Sequence, residues 1–519
     1  MSSFFKINKH KYIRNIISNN ILCGKTIQGS LSFIEKEHNI LGILNHSLFN
    51  ITIQLEINST EQFNHYLESP YRHIINSLVL DIDIEPKETS EFLDLLNEIP
   101  SQVTNLDISS KLSTLLPNTS FSKNTTLKNL LIDYEGQVKE NCLPIGLQHL
   151  NIVTHGVPLA KEIFDQQKQL KSLDILVSSS WNQAFSQFNE KSSLEINVRM
   201  EFIASVVISE LVNFKNLNIT TLDLFNISFT ICSPGDLPSS LTKLKMSSIG
   251  NLVEGFIPNG VKILTLYNFN RDFNSTHLPS SLYKLTLTRF SQPIRKGMIP
   301  DGLKILKLPF FSSILQHQSL PDSIEYLSLN SYTNAILPGL IPKSIKTLHL
   351  HSYTEQIRLG IIPNTCKQLS LLSYTGNLEE GVLPIGIESL TIRNGVLEPI
   401  YLPNTLTDMT ILRYDESKST NLLQHCKNLQ KLYIISSIKS ISAQIPNTVT
   451  HLSLAFNVES ISESSIPSSV EILEIQSSKF DFQSIKNLTT IKTLKSKTYP
   501  SVLPKSLLNL IVDNKFQTF

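Results

Sequence analysis

The chain has 519 residues, of which 17% are charged, and its 45 lysines and arginines nearly balance its 44 aspartates and glutamates. Because soluble proteins typically carry about 25% charged residues of mixed sign, this composition excludes a general electrostatic attraction to nucleic acid or to an anionic membrane. No apolar run approaches the ~18 residues of a membrane-spanning helix. We therefore expect a soluble protein whose partner is another protein.

Residues 1–45 are expected to form a partly helical cap. Their start carries Lys6, Lys9, Lys11 and Arg14 among apolar residues, which leaves no uninterrupted apolar stretch for a secretory signal. We therefore expect a cytoplasmic or nuclear protein whose five widely spaced cysteines stay reduced. An alternative is that a helix here docks onto a ubiquitin ligase in the manner of an F-box, although the usual Leu-Pro opening of that motif is absent.

Residues 46–230 carry pairs of aliphatic residues separated by one position. The pairs recur at uneven intervals, at 78/80, 106/108, 130/132, 150/152, 173/175, 194/196 and 222/224. Alternation of this kind is typical of a half-buried strand. We predict leucine-rich-like turns with long return segments, some of them helical, as residues 90–99 and 162–173 suggest.

Residues 231–480 carry a regular repeat anchored on an aliphatic residue followed by proline. The prolines recur at a nearly constant interval of about 21 residues, a period typical of solenoid repeats, at Pro238, Pro258, Pro279, Pro300, Pro321, Pro342, Pro363 and Pro384. The register continues through Pro403, Pro446, Pro467 and Pro504, and the gap between Pro403 and Pro446 has room for one further turn without its proline. Residues 481–519 are expected to form the last turns and a cap.

Aliphatic residues stand three, six and eight positions after each proline, as in LPSSLYKLTL (278–287). The last two alternate with polar residues, which predicts one short parallel strand per turn. The fold class is therefore an α/β or mainly β solenoid of the leucine-rich-repeat type with turns of about 21 residues. The dipeptides after the prolines indicate a turn with proline at its second position. A glycine three residues before the proline indicates a positive φ or a close approach between turns.

An aromatic residue occupies the position eleven after the proline, where leucine-rich repeats carry asparagine. The six aromatics are Phe269, Phe290, Phe311, Tyr332, Tyr353 and Tyr374. We predict a stacked column inside the solenoid. A row of rings that stacks on a ligand would instead require them on the open face.

The strand residues five, seven and nine after the proline are expected to point away from the core. They include the candidate partner-binding residues, which mix basic, aromatic and polar types: Lys243, Lys245, Tyr267, Lys284, Lys307, Tyr326, Asn330, His349, His351 and Arg393. An acidic residue does not enter these positions until Asp408. A partly apolar, locally basic face predicts an acidic protein partner, and an ordinary solvated sheet face is the alternative.

The LPxSLxxLxL and GxIPxSLxxLxL phrases over about 237–412 and 445–476 resemble the FNIP repeat, a leucine-rich-like family. The Phe-Asn pair stands at 225–226, 269–270, 273–274 and 456–457, whereas Ser-Tyr-Thr replaces it at 331–333, 352–354 and 373–375. The resemblance implies a non-catalytic repeat scaffold that mediates protein–protein interaction. It implies no catalytic residue that could be transferred to this chain.

Motifs for catalysis or cofactor binding are missing from the sequence, which has no H-E-x-x-H, G-x-S-x-G or G-x-G-x-x-G. His349 and His351 share one strand face, but two ligands do not make a metal site. We therefore expect no enzyme activity, no cofactor and no metal.

Overall fold

The computed structural model describes residues 26–42, 51–82, 96, 98–108, 126–134, 143–154, 169–177, 195–205, 218–228, 233–247, 250–393, 397–414, 423, 426–436, 440–441, 445–456, 458–512 and 515–518. The chain divides into two compact units, Met1–Ile249 and Gly250–Phe519. Each unit is a parallel β-solenoid, and each is described by itself.

The first unit places one parallel strand in each turn. Its described strands are β1 (Thr26–Gly29), β2 (Thr52–Ile57), β3 (Ser77–Leu80), β4 (Asn105–Ile108), β5 (Asn129–Tyr134), β6 (His149–Thr154), β7 (Ser172–Val177), β8 (Glu195–Ser205), β9 (Ile219–Ser228) and β10 (Lys243–Ser247). The aliphatic pairs lie in these strands as predicted, apart from residue 194, which is outside the described residues. Both members of pairs such as Leu78 and Leu80 are fully buried. In-register neighbours such as Leu78 and Leu106 form a continuous apolar row.

Three short helices accompany the first strands: α1 (Leu31–Lys36), α2 (His38–Leu41) and α3 (Thr60–Glu68). The Ser59 hydroxyl caps α3 by accepting the Gln62 N–H at 3.2 Å. Phe63 and Tyr66 of α3 are fully buried, and α3 contacts β2. Most of the two helices predicted at 90–99 and 162–173 lies outside the described residues.

The second unit continues the same plan with shorter strands. They are β11 (Ile263–Tyr267), β12 (Lys284–Leu287), β13 (Ile305–Lys307), β14 (Tyr326–Ser328), β15 (Thr347–His349), β16 (Gln368–Leu371), β17 (Asn377–Leu378), β18 (Ser389–Arg393), β19 (Leu397–Ile400), β20 (Asp408–Tyr414), β21 (Lys431–Ser436), β22 (Ser440–Ile441), β23 (His451–Phe456), β24 (Ser460–Ile461), β25 (Ile472–Ile475), β26 (Thr493–Ser496), β27 (Asn509–Val512) and β28 (Lys515–Thr518). β21 is the turn without a proline that the gap between Pro403 and Pro446 predicted. β28 pairs antiparallel with β27 and breaks the parallel pattern.

The proline turn differs from the prediction in one respect. The N–H three residues after the proline donates to the proline carbonyl, as from Leu303 to Pro300 at 3.1 Å and from Cys366 to Pro363 at 2.9 Å. The proline is therefore the first residue of this turn, and its placement at the second position was wrong. The ring suits this corner because proline has no N–H to satisfy, whereas its carbonyl closes the turn.

The glycine prediction is confirmed. The glycines three residues before the proline have φ between 76° and 84° at Gly255, Gly297, Gly339, Gly360 and Gly381. Each is the third residue of a turn, as where the Leu340 N–H donates to the Leu337 carbonyl across Gly339 at 3.2 Å. That position of a type II turn requires a positive φ. In one turn Gln318 replaces the glycine and adopts a φ of 57°.

A hydroxyl two residues after the proline links successive turns. Ser323 Oγ donates to the Leu303 carbonyl at 2.7 Å, Ser344 Oγ to the Ile324 carbonyl at 2.6 Å, and Thr365 Oγ1 to the Ile345 carbonyl at 2.8 Å. Each bond satisfies a carbonyl at the corner that enters the strand of the previous turn. The recurrent serine of the LPxS phrase is therefore a structural residue.

The aromatic column lies inside the solenoid, as predicted, with all six rings at most 1% exposed. Phe269, Phe290, Phe311 and Tyr332 stack with centroids 6.0 to 6.4 Å apart and planes within 8°. The tyrosine hydroxyls accept backbone N–H groups from the return path of the turn before, as Tyr332 accepts from Leu315 at 3.1 Å. Tyrosine thus satisfies a buried backbone group between turns, the role that asparagine has in leucine-rich repeats.

Candidate functional site

The outward side of β11–β18 presents the candidate residues of the second unit. Inward leucines alternate with half-buried outward side chains, as in β13, where Leu306 is buried between Ile305 and Lys307. We call this surface the basic face and define it by Tyr267, Lys284, Lys307, Tyr326, Asn330, His349, His351 and Arg393, all of which lie on this side of the sheet or at its strand ends.

Lys307, Tyr326, His349 and His351 form one connected cluster at the centre of the basic face. The Lys307 ammonium lies 5.1 Å from the centroid of the Tyr326 ring, a distance at which a cation and a ring attract. The Tyr326 ring is tilted against His349 with centroids 5.1 Å apart, and His349 stacks on His351 at 5.3 Å. These contacts link the four side chains, each of which is half-buried.

The imidazoles of this cluster carry little positive charge at neutral pH. Burial, the neighbouring His351 and Lys307 lower the pKa of His349 to about 4. Burial also lowers the pKa of His351. The fixed positive charges of the basic face are therefore those of Lys284, Lys307 and Arg393.

The cations of the basic face differ from those at the rim of the same turns. At the rim, Lys304 and Lys346 both pair with Glu325, at 3.0 and 2.6 Å, and Lys367 pairs with Glu388 at 2.6 Å. Within the part of the chain that the structure describes, no ion pair is formed by the three cations of the face.

Two of the predicted residues belong to the first unit. Lys243 and Lys245 lie on β10 of the first unit. The Lys245 ammonium pairs with the Asp223 carboxylate at 2.7 Å, and the two residues are opposite each other in the register of β9 and β10. The outward Asp223 was not recognised in the sequence because it precedes the first regular proline turn. The positive charge of Lys245 is therefore already neutralised locally.

The described residues contain no group of three or more histidines, cysteines, aspartates or glutamates that could hold a metal ion. Of the cysteines, Cys366 and Cys426 are described, and both are buried thiols. Burial raises the pKa of each thiol to about 12, so neither is a nucleophile at neutral pH. Among the described helices none has the length and apolar character needed to cross a membrane.

The arrangement of one parallel strand per turn, an apolar core and an outward sheet face defines a leucine-rich-repeat-like solenoid. One solved structure agrees with this class. The crystal structure of CroV588, a novel circular leucine-rich-repeat protein, is 18% identical and superposes with a TM-score of 0.53 over 88% of this chain and 79% of the other. This similarity concerns the fold alone.

Three successive stretches of the second unit, residues 251–289, 290–332 and 332–374, match the FNIP Repeat family, so this part of the chain consists of FNIP-type repeats. More distant matches are an internalin from Listeria monocytogenes, with 13% identity over 59% of this chain and 76% of that one and a TM-score of 0.25, and a chain of the Toll–Spatzle complex of Drosophila, with 12% identity over 92% and 64% and a TM-score of 0.36. No protein with curated annotation matches the sequence significantly.

Proposed function

We propose that this protein is a non-catalytic scaffold that holds an acidic protein partner on the basic face, in the cytoplasm. The observation that carries the proposal is the contrast within one set of turns between the paired rim lysines and the three cations of the face. Because the sequence supplies carboxylates at the rim and none at the outward positions of β11–β18, the face offers charge for an external carboxylate.

The shape and chemistry of the face favour a protein over a nucleic acid. The positive charges are few, and the carboxylates of Glu325 and Glu388 lie along the rim, where they would repel a phosphate backbone. The cluster around Tyr326 and His349 instead offers an aromatic and hydrogen-bonding surface, the composition that protein interfaces favour.

Charge reversal tests the proposal. The variant Lys284→Glu, Lys307→Glu and Arg393→Glu removes the positive charges of the face without changing a buried residue. A matched control reverses Lys262, Lys296 and Lys343 to glutamate, since these exposed lysines lie off the face and the net charge changes equally. Affinity purification under reducing conditions, with quantitative mass spectrometry, compares both variants with the wild type.

The expected result is loss of a defined set of acidic partners from the face variant and their retention by the control. Equal recovery with both variants would overturn the proposal and place the binding site on the return segments. Recovery of ubiquitin-ligase subunits that depends on residues 1–45 would show that the scaffold is the substrate receptor of a ligase, the alternative class.

A further inference from the structure

A second outward surface, in the first unit, has a different chemistry. A shallow cleft of about 240 Å³ crosses the outward side of β2–β7. Most of its polar lining is supplied by residues of the four neighbouring strands β4–β7: Asn105, Asp107, Asn129, His149, Asn151 and Asp174. Among the described residues that line it there is no lysine or arginine.

Two rows of side chains give the cleft its pattern. In the first row, Asn105, Asn129 and His149 occupy equivalent positions of adjacent strands, and the Asn129 carboxamide donates to that of Asn105. A carboxamide offers both donors and an acceptor. The row can therefore exchange hydrogen bonds with the main chain of an extended peptide, as another strand would.

The second row places two carboxylates at a fixed spacing. Asp107 is in register with Leu131, Leu131 with Asn151, and Asn151 with Asp174. Three strand intervals of ~4.8 Å set the two aspartates about 14 Å apart. In an extended peptide, side chains on one side recur every second residue, and those four residues apart are also separated by about 14 Å.

We propose that this cleft binds an extended polypeptide segment that carries two basic side chains four residues apart. The segment runs across the strands, and its two cations meet Asp107 and Asp174. Of the three residues between the cations, the middle one points to the same side and lies over Leu131 and Asn151. Among the described residues the Asn151 side chain makes no hydrogen bond, so its carboxamide is available to the segment. The site is independent of the basic face and takes a partner of the opposite charge.

Fluorescence anisotropy with the full chain tests the spacing. The probe is a labelled nine-residue peptide of serine and threonine with lysine at its third and seventh positions. Its matched control has lysine at the third and sixth positions, which point to opposite sides of an extended chain. We expect the first peptide to bind and the second to bind about tenfold more weakly, since only one of its lysines then reaches a carboxylate.

Substitution of the carboxylates tests the site itself. Asp107→Asn and Asp174→Asn keep the size of outward side chains, and each is expected to weaken the first peptide about tenfold, the loss of one charged hydrogen bond. Asp301→Asn, at an exposed turn of the second unit, is the control and leaves the affinity unchanged. If Asp107→Asn does not fold by circular dichroism, Asp174→Asn alone decides.

Three results would overturn the proposal: no saturable binding of the first peptide, equal affinity for both peptides, or unchanged affinity in the folded aspartate variants. None of them bears on the basic face, whose test uses other residues and an acidic partner.

Discussion

The hydroxyl of Tyr332 offers a sharp test of the aromatic column, because one oxygen atom serves a defined backbone group. Its ring is fully buried and stacks on Phe311 with centroids 6.0 Å apart, and its hydroxyl accepts the Leu315 N–H at 3.1 Å. Burial raises the pKa of Tyr332 above its usual value, so the hydroxyl stays protonated. Tyr332→Phe keeps the ring and leaves the N–H without its acceptor, at a cost of about 1–3 kcal/mol.

Hydrogen exchange at Leu315 measures this cost locally, which matters because a repeat protein does not unfold in one step. We expect the Leu315 amide to exchange at least about tenfold faster in Tyr332→Phe, the equivalent of ~1.4 kcal/mol. Tyr332→Ala also opens a cavity and should cost about 3–5 kcal/mol. Tyr283→Phe, at a tyrosine that is 52% exposed, is the control. Unchanged exchange at Leu315 in Tyr332→Phe would refute the assigned role of the hydroxyl.

Three further predictions concern the core, the glycine turn and pH. Leu306 is fully buried and in register with Leu285 and Leu327. Leu306→Asp should therefore lower the melting temperature and increase amide hydrogen exchange in adjacent turns. An unchanged melting temperature would show that the register is wrong. Gln318→Gly should stabilise the fold by about 1 kcal/mol, since it removes a non-glycine residue with a left-handed backbone. Gly339→Ala should destabilise the fold, because it places a side chain on such a backbone. Denaturant titration compares the two variants, and equal effects on stability would contradict the turn assignment. The pKa of His349 in the folded protein is about 4, below its ordinary 6.5, so between these values the unfolded chain binds the extra proton. The free energy of unfolding should therefore fall as the pH drops from about 6.5 to about 4. His349→Gln should flatten that dependence, and an identical pH profile of stability in both proteins would count against it.

Much of the second unit could be predicted from sequence because its turns have nearly constant length. A constant interval of about 21 residues brings like positions of successive repeats into register, so the inward leucines, the positive-φ glycines and the aromatic column all follow from counting. The ring of Phe311 is buried for the same reason as that of Tyr332. The error at the proline arose because a proline-containing dipeptide does not show which residue closes the turn.

The remaining features depend on which residues face one another. The partners of the Tyr332 hydroxyl and of Lys245 both lie in the turn before, at Leu315 and Asp223, and no local motif records such a distant pairing. In the first unit the return segments vary in length, so the step along the chain from Asn105 to Asn129 is longer than the step from Asn129 to His149. The row that forms the cleft is therefore visible only once the strands are aligned.

The serine and threonine ladder has a consequence for how such a chain can change in evolution. Each hydroxyl bonds to a residue of the turn before it through the same atoms, as Ser323 does to Leu303 and Ser344 to Ile324. Loss or duplication of one whole repeat therefore joins equivalent ends, so the hydroxyls of the remaining turns still face a carbonyl of the turn before. Such an event shortens or lengthens the sheet by one step of ~4.8 Å and moves the cations on either side of it closer together or further apart. Genetic exchange between repeats can thus change the spacing of charged groups on the surface without a single substitution in the core.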